Sequence, residues 1–561
     1  MANVFNDYFA GVGQNLASTI PDSSKHFTYF LNNHNPHSIY FTPTDDKELA
    51  DIISGLKNKI SSGCDGISNV LLKRTLTEIV KPLTYIFNLS ISTGVVPSSL
   101  KLARVIPVFK KGENTVLGNY RPISLLTCLS KVLEKLVFIR TTKFINMHNL
   151  FYPLQFGFRE KHNTTHALLT MINKIANGID AYEHTVGVFL DFSKAFDTIN
   201  HDILLYKLDY YGIRGIALEW FRNYLSNRQQ YVSIANANST TKLISCGVPQ
   251  GSILGPLLFL VYINDFCKSS NTLSFILFAD DSNIFFSHKD PKYLLDTINQ
   301  ELRQVSEWIK SNKLSLNLQK TNYMLFSNII DELPGNIVFE NNNIQRVLST
   351  KFLGITIDDK LSWKDHTDNI CKIISRNIGI INKVKFYFPT RILLNLYSTL
   401  ILPHLNYGII AWGCCADYHL NRLLLLQKKA LRIICHSHYR AHTDVLFKTH
   451  GILKISDLYH YNLGSFMYNL NKHELPNVFY TMFTKNVNIH HYPTRSAVLF
   501  HLPRTRTLFR NKIFISTGTK LWNALSEALR NKPSYYSFNR ALKKNLIKKY
   551  NNTNIQTTLD V

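Results

Sequence analysis

Two adjacent aspartates, Asp280 and Asp281, interrupt an otherwise apolar stretch. Leu273-Ser274-Phe275-Ile276-Leu277-Phe278 precedes them and Ser282-Asn283-Ile284-Phe285-Phe286 follows. Two β-prone runs around a short polar dipeptide predict a hairpin with both carboxylates at its turn. Neighbouring carboxylates repel each other, and become favourable where a hard divalent cation such as Mg²⁺ takes their oxygens. For the dipeptide alone a solvated turn is the better reading, because Asp favours turns. A third aspartate, Asp191, closes the run Val186-Gly187-Val188-Phe189-Leu190, the pattern of a buried strand ending at a functional tip. If the two elements are neighbours in a sheet, the three carboxylates meet. Displacement at phosphorus by two metals about 3.5–4 Å apart asks for that arrangement.

The elements that must position these residues follow from the surrounding pattern. A strand is expected over 103–109, running into Lys110-Lys111-Gly112, and a loop ends in Asn119-Tyr120-Arg121-Pro122-Ile123-Ser124. One helix is expected after Thr44, with Ile52, Ile53, Leu56 and Ile60 on one face. Another spans about 130–145 and buries Val132, Leu133, Leu136 and Ile139. A third follows Asp197 as far as Gly212, and a fourth carries the stripe Leu294, Leu295, Ile298, Leu302, Val305 and Ile309. Gly247-Val248-Pro249-Gln250-Gly251-Ser252 reads as a tight loop before an apolar helix. Strands return near 323–326 and 352–357, and residues 1–45 read as a lead-in without a clear period. Beyond about 365 the chain turns helical and more basic. Lys428, Lys429 and Arg432 fall on neighbouring helix positions, and Arg504, Arg506, Arg510 and Lys512 form later basic patches.

Composition sets the outer bounds. The chain has 561 residues, enough for about two to four domains. Hydrophobic residues at 45% and charged residues at 18% exclude a disordered chain. A net charge of +25 makes a surface that attracts polyanions, nucleic acid first and an anionic membrane second. The eight cysteines show no repeated spacing, which predicts reduced thiols and an intracellular location, nuclear or cytoplasmic. No leader pattern is read in residues 1–20, and no run has the length of a membrane span. Cys414, Cys415, His419, Cys435, His436 and His438 lack the spacing of a zinc knuckle and read as packing and surface residues.

Five ordered stretches resemble the reverse transcriptase of non-LTR (LINE-type) retrotransposons, and more distantly that of group II introns. They are Ala103-Arg104-Val105-Ile106-Pro107-Val108-Phe109-Lys110-Lys111-Gly112; Asn119-Tyr120-Arg121-Pro122-Ile123-Ser124-Leu125; Phe189-Leu190-Asp191-Phe192-Ser193-Lys194-Ala195-Phe196-Asp197; Gly247-Val248-Pro249-Gln250-Gly251-Ser252-Ile253-Leu254-Gly255-Pro256; and Phe278-Ala279-Asp280-Asp281. Weaker matches follow at Leu316-Asn317-Leu318-Gln319-Lys320-Thr321 and Phe352-Leu353-Gly354-Ile355. Elements of this kind generally carry an endonuclease ahead of the polymerase, and nothing in this sequence resembles it.

The resemblance implies roles for the motif residues. Asp191, Asp280 and Asp281 would hold two Mg²⁺ ions, with Mn²⁺ the alternative. Phe196 would lie under the sugar and exclude a 2′-hydroxyl, with core packing as its other reading. Gln250 and Gly251 would line the nascent base pair. Arg121, with Lys110 or Lys111, would contact the triphosphate. Lys320 would protonate the departing pyrophosphate, unless it is a surface lysine. Asp197 would orient its motif or cap the next helix. Lys428, Lys429 and Arg432 would contact template and primer, or form a solvated helix face.

The expected fold is α+β, a right-hand polymerase. Its parts would be a lead-in over 1–45, fingers over 46–185, a palm with an antiparallel sheet over 186–360, a helical thumb over 361–450 and a basic helical extension over 451–561, the polymerase domain proper spanning about 90–360. The expected activity is RNA-directed DNA synthesis, extending a DNA primer with dNTPs on an RNA template. The rival from another class is a nucleic-acid-binding remnant that does not catalyse. An RNA-templated RNA polymerase is disfavoured by Phe196, and membrane binding by basic segments that lack an apolar opposite face.

Overall fold

The computed structural model describes residues 1–32, 34–235, 237–489 and 497–551, an α+β chain. Parts of the expected extension, 490–496 and 552–561, lie outside the described residues. Two five-stranded sheets dominate the first two thirds. In one, β1 (Leu102–Phe109) lies between β2 (Tyr120–Leu125), antiparallel, and β4 (Arg228–Ile234), parallel; β4 also pairs with β5 (Ala237–Asn238) and β6 (Lys242–Ile244).

In the other sheet β3 (His184–Asp191) is central. It pairs antiparallel with β8 (Asp281–His288) on one side and β9 (Asn322–Phe326) on the other. Outside them lie β7 (Ser274–Phe278), next to β8, and β12 (Gln345–Arg346), next to β9. Two small ribbons complete the strands, β10 (Val338–Phe339) with β11 (Asn342–Asn343) and β13 (Ser349–Phe352) with β14 (Ile355–Asp358). The central strand is buried on both faces, as its continuous apolar run requires, because helices cover the sheet on each side. Asp191, its last residue, is the first to emerge.

Several expected elements change shape. Residues 1–45 are not merely a lead-in: Ala2–Ser18 is a helix whose Phe5, Phe9 and Val12 are buried, with Phe5 and Phe9 packed on Val105 and Val232 of the first sheet. The helix after Thr44 stops at Ser54, so Ile60 lies beyond it and is exposed. The helix Cys128–Met147 buries Val132, Leu133 and Leu136 as expected, but Ile139 reaches solvent and Val137 takes the inward place. The strand expected over 352–357 is the β13–β14 hairpin, turning at Leu353-Gly354, where Gly354 has φ +84°.

From Lys364 onward the chain is helical, and its apolar core continues across residue 450. Leu393, Tyr397, Leu423, Leu463, Met467, Trp522 and Phe538 belong to one cluster with Leu168, Leu169 and Ile172 of the helix Thr164–Asp180. Two arginines of the expected basic patches join this contact. Arg506 donates to the carbonyls of Ile179 and Asp180 and lies 3.5 Å from the Tyr182 ring, and Arg510 donates to Asn173 Oδ1 at 2.6 Å. Cations at a helix C-terminus are favoured by its dipole and unpaired carbonyls. No helix among the described residues is long and apolar enough to cross a membrane.

Candidate active site

The sheet register brings the carboxylates together. Asp191 is the direct cross-strand partner of Asp281 in the β3–β8 ladder, so their Cα atoms are about 4.5–5.5 Å apart. The β7–β8 hairpin turns through Ala279 and Asp280 alone, and Phe278 pairs with Asp281. The turn therefore holds one aspartate, and the second opens a strand. Ala279 has φ +54°, a left-handed conformation that an alanine adopts only when surroundings impose it.

Gln155 supplies that constraint. Its buried amide oxygen accepts from Ala279 N at 3.0 Å and from Gly157 N at 2.8 Å. The backbone on either side, Leu154 to Phe156, hydrogen-bonds to Leu277 like an added strand. A Cβ on Gly157 would stand 2.3 Å from Ala279 N, so only glycine lets the two segments meet here.

Asp191 and Asp280 face a cleft of about 620 Å³. Its wall includes Asp191, Asp280, Lys110, Arg121, Lys194, Lys320, Phe158, Phe196, Asp197, Gln250 and Gly251. The first sheet contributes Lys110 and Arg121 from the ends of β1 and β2, and the second contributes the aspartates. Lys111 is not part of this wall, which separates the two lysines that sequence left as alternatives.

Asp280 and Asp281 reach solvent, yet they sit in a concave wall that strips much of their hydration. Desolvation, then the neighbouring Asp191, raises the Asp280 carboxyl above its usual range, against the pull of Arg121 and Lys110. Desolvation, then Asp280 and Asp191, pushes Asp281 up to about 6. The cations show the converse. Desolvation, followed by Arg121, Lys320 and Lys111, lowers the Lys110 ammonium. Lys194 is lowered by desolvation and, among its charged neighbours, by Arg121 and Lys320. Negative charge and positive charge are thus each crowded against their own kind, a state that a cation and a polyanion bound together would relieve.

Lys320 bridges the two groups. Its Nζ lies 3.1 Å from Asp191 Oδ2, both side chains well exposed. The turn that carries it is tied to the same strand tip, since Asn317 N donates to the Asp191 carbonyl at 2.8 Å. Gln250 is equally fixed: its Nε2 donates to Asp197 Oδ1 at 2.8 Å, and its carbonyl accepts from Ser124 N at 2.9 Å. The second Asp197 oxygen is buried without a hydrogen-bond partner, and burial raises this carboxyl. Gly251 has φ +130°, and a Cβ there would stand 2.5 Å from the Ser124 carbonyl oxygen. The glycine is required first by this contact with β2. Phe196 is half-buried, stacked on Phe259 at 4.5 Å and edge-on to Phe158 at 6.3 Å, with a face left to the cleft.

Of the expected site residues, the cleft gathers Asp191, Asp280, Lys320, Lys110, Arg121, Phe196, Gln250 and Gly251, with Asp281 joined through the strand register. Lys428, Lys429 and Arg432 lie on the helix Asp417–Ile434 and line no part of it. Sequence reasoning gave no role to Gln155, Phe158 or Lys194. Lys194, three residues after Asp191 in the same motif, carried a signal; Gln155 acts through a contact no local pattern announces.

In chemical type the donors suit a hard divalent ion, being carboxylate oxygens that repel one another; Lys320 pairs with Asp191, and Arg121 and Lys110 lie near enough to act on Asp280. Among the described residues, no group of three or more His, Cys, Asp or Glu side chains is placed so as to hold a metal ion, the three aspartates included. The cysteine–histidine group reads the same way, with Cys415 buried in packing and Cys435 Sγ 3.2 Å from His450 Nε2.

Residues 108–357 match the family described as reverse transcriptase (RNA-dependent DNA polymerase). The chain is 28% identical over 440 residues to the RNA-directed DNA polymerase from mobile element jockey of Drosophila melanogaster, covering 76% of this chain and 48% of that protein. It is 28% identical over 409 residues to the probable RNA-directed DNA polymerase from transposon X-element of the same species, covering 70% and 44%. Against the corresponding protein of transposon BS the identity is 28% over 415 residues, covering 71% and 45%. The chain thus spans about half the length of these curated relatives.

Proposed function

From a chain whose residues 108–357 are a reverse transcriptase domain of the non-LTR retrotransposon kind, we propose an RNA-directed DNA polymerase that extends a DNA primer 3′-end with dNTPs on an RNA template. The observation that carries the reading is the register of β3 and β8, which sets Asp191 opposite Asp281 with Asp280 in the adjoining turn, at the mouth of a cleft lined with cations.

In this reading the sheet of β3, β7, β8 and β9 is the palm, the region of β1 and β2 the fingers, and the helices from Lys364 the thumb, continued by the basic extension beyond 450. Asp191, Asp280 and Asp281 would hold two divalent ions, Mg²⁺ or Mn²⁺, which would supply charge neutralisation at the reacting phosphate. The remaining work falls to the chain. Arg121 and Lys110, with Lys194 beside them, bind the triphosphate and orient it. Phe196, braced by Phe259, fills the space a 2′-hydroxyl needs. Gln250, fixed by Asp197 and Ser124, meets the base pair being formed. Lys320, which pairs with Asp191 at the strand tip, would hold the proton for the leaving pyrophosphate. Lys428, Lys429 and Arg432 neutralise phosphates of the template and primer outside the cleft. The protein works inside the cell, where its cysteines stay reduced.

The test is incorporation of labelled dNTPs on primed RNA of defined sequence with Mg²⁺. Product complementary to the RNA, dependent on primer and template, supports the reading. Salt-sensitive RNA binding without synthesis would replace it with a non-catalytic binding protein.

A further inference from the structure

The helices Lys364–Val384 and Thr390–Leu400 are joined by Lys385-Phe386-Tyr387-Phe388-Pro389. Three consecutive aromatics there stand in water, Phe386 at 79%, Tyr387 at 81% and Phe388 at 45% exposure. A lone exposed ring is unremarkable; three in a row on a rigid helical corner are a candidate contact surface. The facing helix Asp417–Ile434 adds Lys429 and Arg432, and the loop after it adds His436 and Tyr439. Together with Lys385 and Phe386 they line a recess of about 480 Å³ that shares no residue with the catalytic cleft.

The recess is built and positively charged. Arg432 Nε donates to the Ala441 carbonyl at 3.0 Å, which fixes the loop, and the Phe386 and His436 rings lie 6.3 Å apart. Lys385 Nζ is 4.8 Å from the Phe386 ring centre, and Arg440 is 5.1 Å from that of Tyr439. The ion pairs of this region are Arg422–Asp368 and Lys454–Asp444. Lys385, Lys429 and Arg432 therefore have no carboxylate partner among the described residues. Cations without counter-charge, alternating with open rings on a concave wall, are what a strand with free bases recognises: phosphates take the cations and bases stack on the rings. A duplex offers the same phosphates but keeps its bases stacked on one another. An anionic bilayer asks instead for a continuous apolar face, which the interleaved cations break.

We propose that this aromatic–basic recess is a second nucleic-acid site that holds an unpaired strand. The bases stack on Phe386 and Tyr439 of the recess and on the adjoining exposed Tyr387, and the phosphates lie against Lys385, Lys429 and Arg432. The assignment rests on the polymerase reading, which gives the phosphates of template and primer to Lys429 and Arg432, and extends it with the aromatics beside them. It adds that the helical region selects single strand over duplex, as handling the template ahead of or behind the copied stretch requires.

Binding is measured by fluorescence anisotropy on the full chain carrying Asp280→Asn, without nucleotides, so that synthesis plays no part. The probes are one 15-nucleotide RNA strand, the same sequence as single-stranded DNA, and its blunt duplex. The double variant Phe386→Ala/Tyr387→Ala is expected to bind single strand at least about tenfold more weakly and the duplex within about twofold of the parent. Lys429→Ala/Arg432→Ala is expected to reduce the salt dependence on single strand by about 1.4 logarithmic units per decade, the loss of two phosphate contacts. Photocrosslinking of a 4-thiouridine strand is expected to mark peptides containing Phe386 and Tyr439. Preference for RNA or for DNA, or equal binding, each supports the site and identifies the strand it takes. Equal weakening on strand and duplex, no weakening on either, or crosslinks confined to the cleft would overturn it. So would phosphatidylserine vesicles that the parent binds and the aromatic variant loses while strand binding is unchanged. Thermal unfolding of each variant checks that the fold is intact, Lys429→Ala alone serving where loss of the half-buried Arg432 and its bond to Ala441 lowers stability. Because DNA synthesis is assayed separately on the active chain, failure here and failure of the polymerase reading are distinguishable.

Discussion

Lys320 Nζ sits 3.1 Å from Asp191 Oδ2, joining the cationic and the anionic halves of the cleft at the tip of the central strand. Both partners are well exposed, so the pair contributes little to stability, in the range of about 0–1 kcal/mol for surface ion pairs. An exposed ammonium on an exposed carboxylate at a strand tip suits a change of partner better than it suits holding the fold together. Lys320→Ala is expected to leave the melting temperature within about 2 °C of the parent. Primer extension should slow about a hundredfold, the contribution of a positioned acid. A variant with full activity would remove Lys320 from the chemistry.

The raised carboxyls give a pH signature with a defined sign. Asp281 is held at about 6, above the range of a free aspartate, so the folded protein favours its protonated form. In the absence of divalent ions its contribution to stability is present at pH 4 and is lost as pH rises through 6. Asp281→Asn is therefore expected to melt higher than the parent at pH 7.5 without metal, with the gap closing toward pH 4. Added Mg²⁺ should stabilise the parent more at pH 7.5 than at pH 5, and primer extension should fall as pH drops below 6. Thermal unfolding with and without EDTA checks both. A variant less stable than the parent at pH 7.5 would mean that the carboxylates are not crowded.

Phe196 is braced from behind by Phe259 at 4.5 Å and cannot retreat from a ligand. Phe196→Val is expected to relax the choice of sugar, raising ribonucleotide use relative to deoxynucleotide at least about tenfold. The ratio of kcat/KM for the two nucleotide types is the readout. An unchanged ratio would assign Phe196 to packing alone.

Asp197 holds Gln250 through one oxygen and keeps the other buried without a partner. Asp197→Ala frees the glutamine amide and is expected to raise KM for dNTPs about tenfold with a smaller effect on kcat. The same variant loses a desolvated carboxylate, so its stability should change little. A large loss of stability with unchanged KM would make Asp197 a structural residue only.

Much of this site was legible because local pattern and tertiary role agree. Apolar runs ending in Asp191 and flanking Asp280-Asp281 are buried strands, and a buried strand pair leaves only its tip for polar residues. Legibility failed where one distant contact decides. Gln155 matters because residues 154–156 lie along β7, and nothing near it in sequence says so. Arg506 and Arg510 read as parts of a basic patch, whereas Arg506 meets the C-terminal carbonyls of the helix Thr164–Asp180 and Arg510 the side chain of Asn173 within it. Ile139 reads as core because it is apolar, and periodicity could not say which edge of its helix meets water. The helix Ala2–Ser18 did carry Phe5, Phe9 and Val12 at helical spacing, but no side chain caps its start and no charge pattern marks its ends.

The most direct test of the central claim, that Asp191, Asp280 and Asp281 form one metal-dependent centre for copying RNA, is single-turnover extension of a DNA primer on RNA with Mg²⁺. Parent and Asp280→Asn are compared at equal occupancy of primer–template, verified by binding. The account predicts synthesis by the parent and a loss of about a thousandfold or more in the variant, the several kcal/mol of charge stabilisation that metal ligation supplies, with binding retained. Equal rates in the two proteins, or no synthesis by either with binding intact, would contradict it.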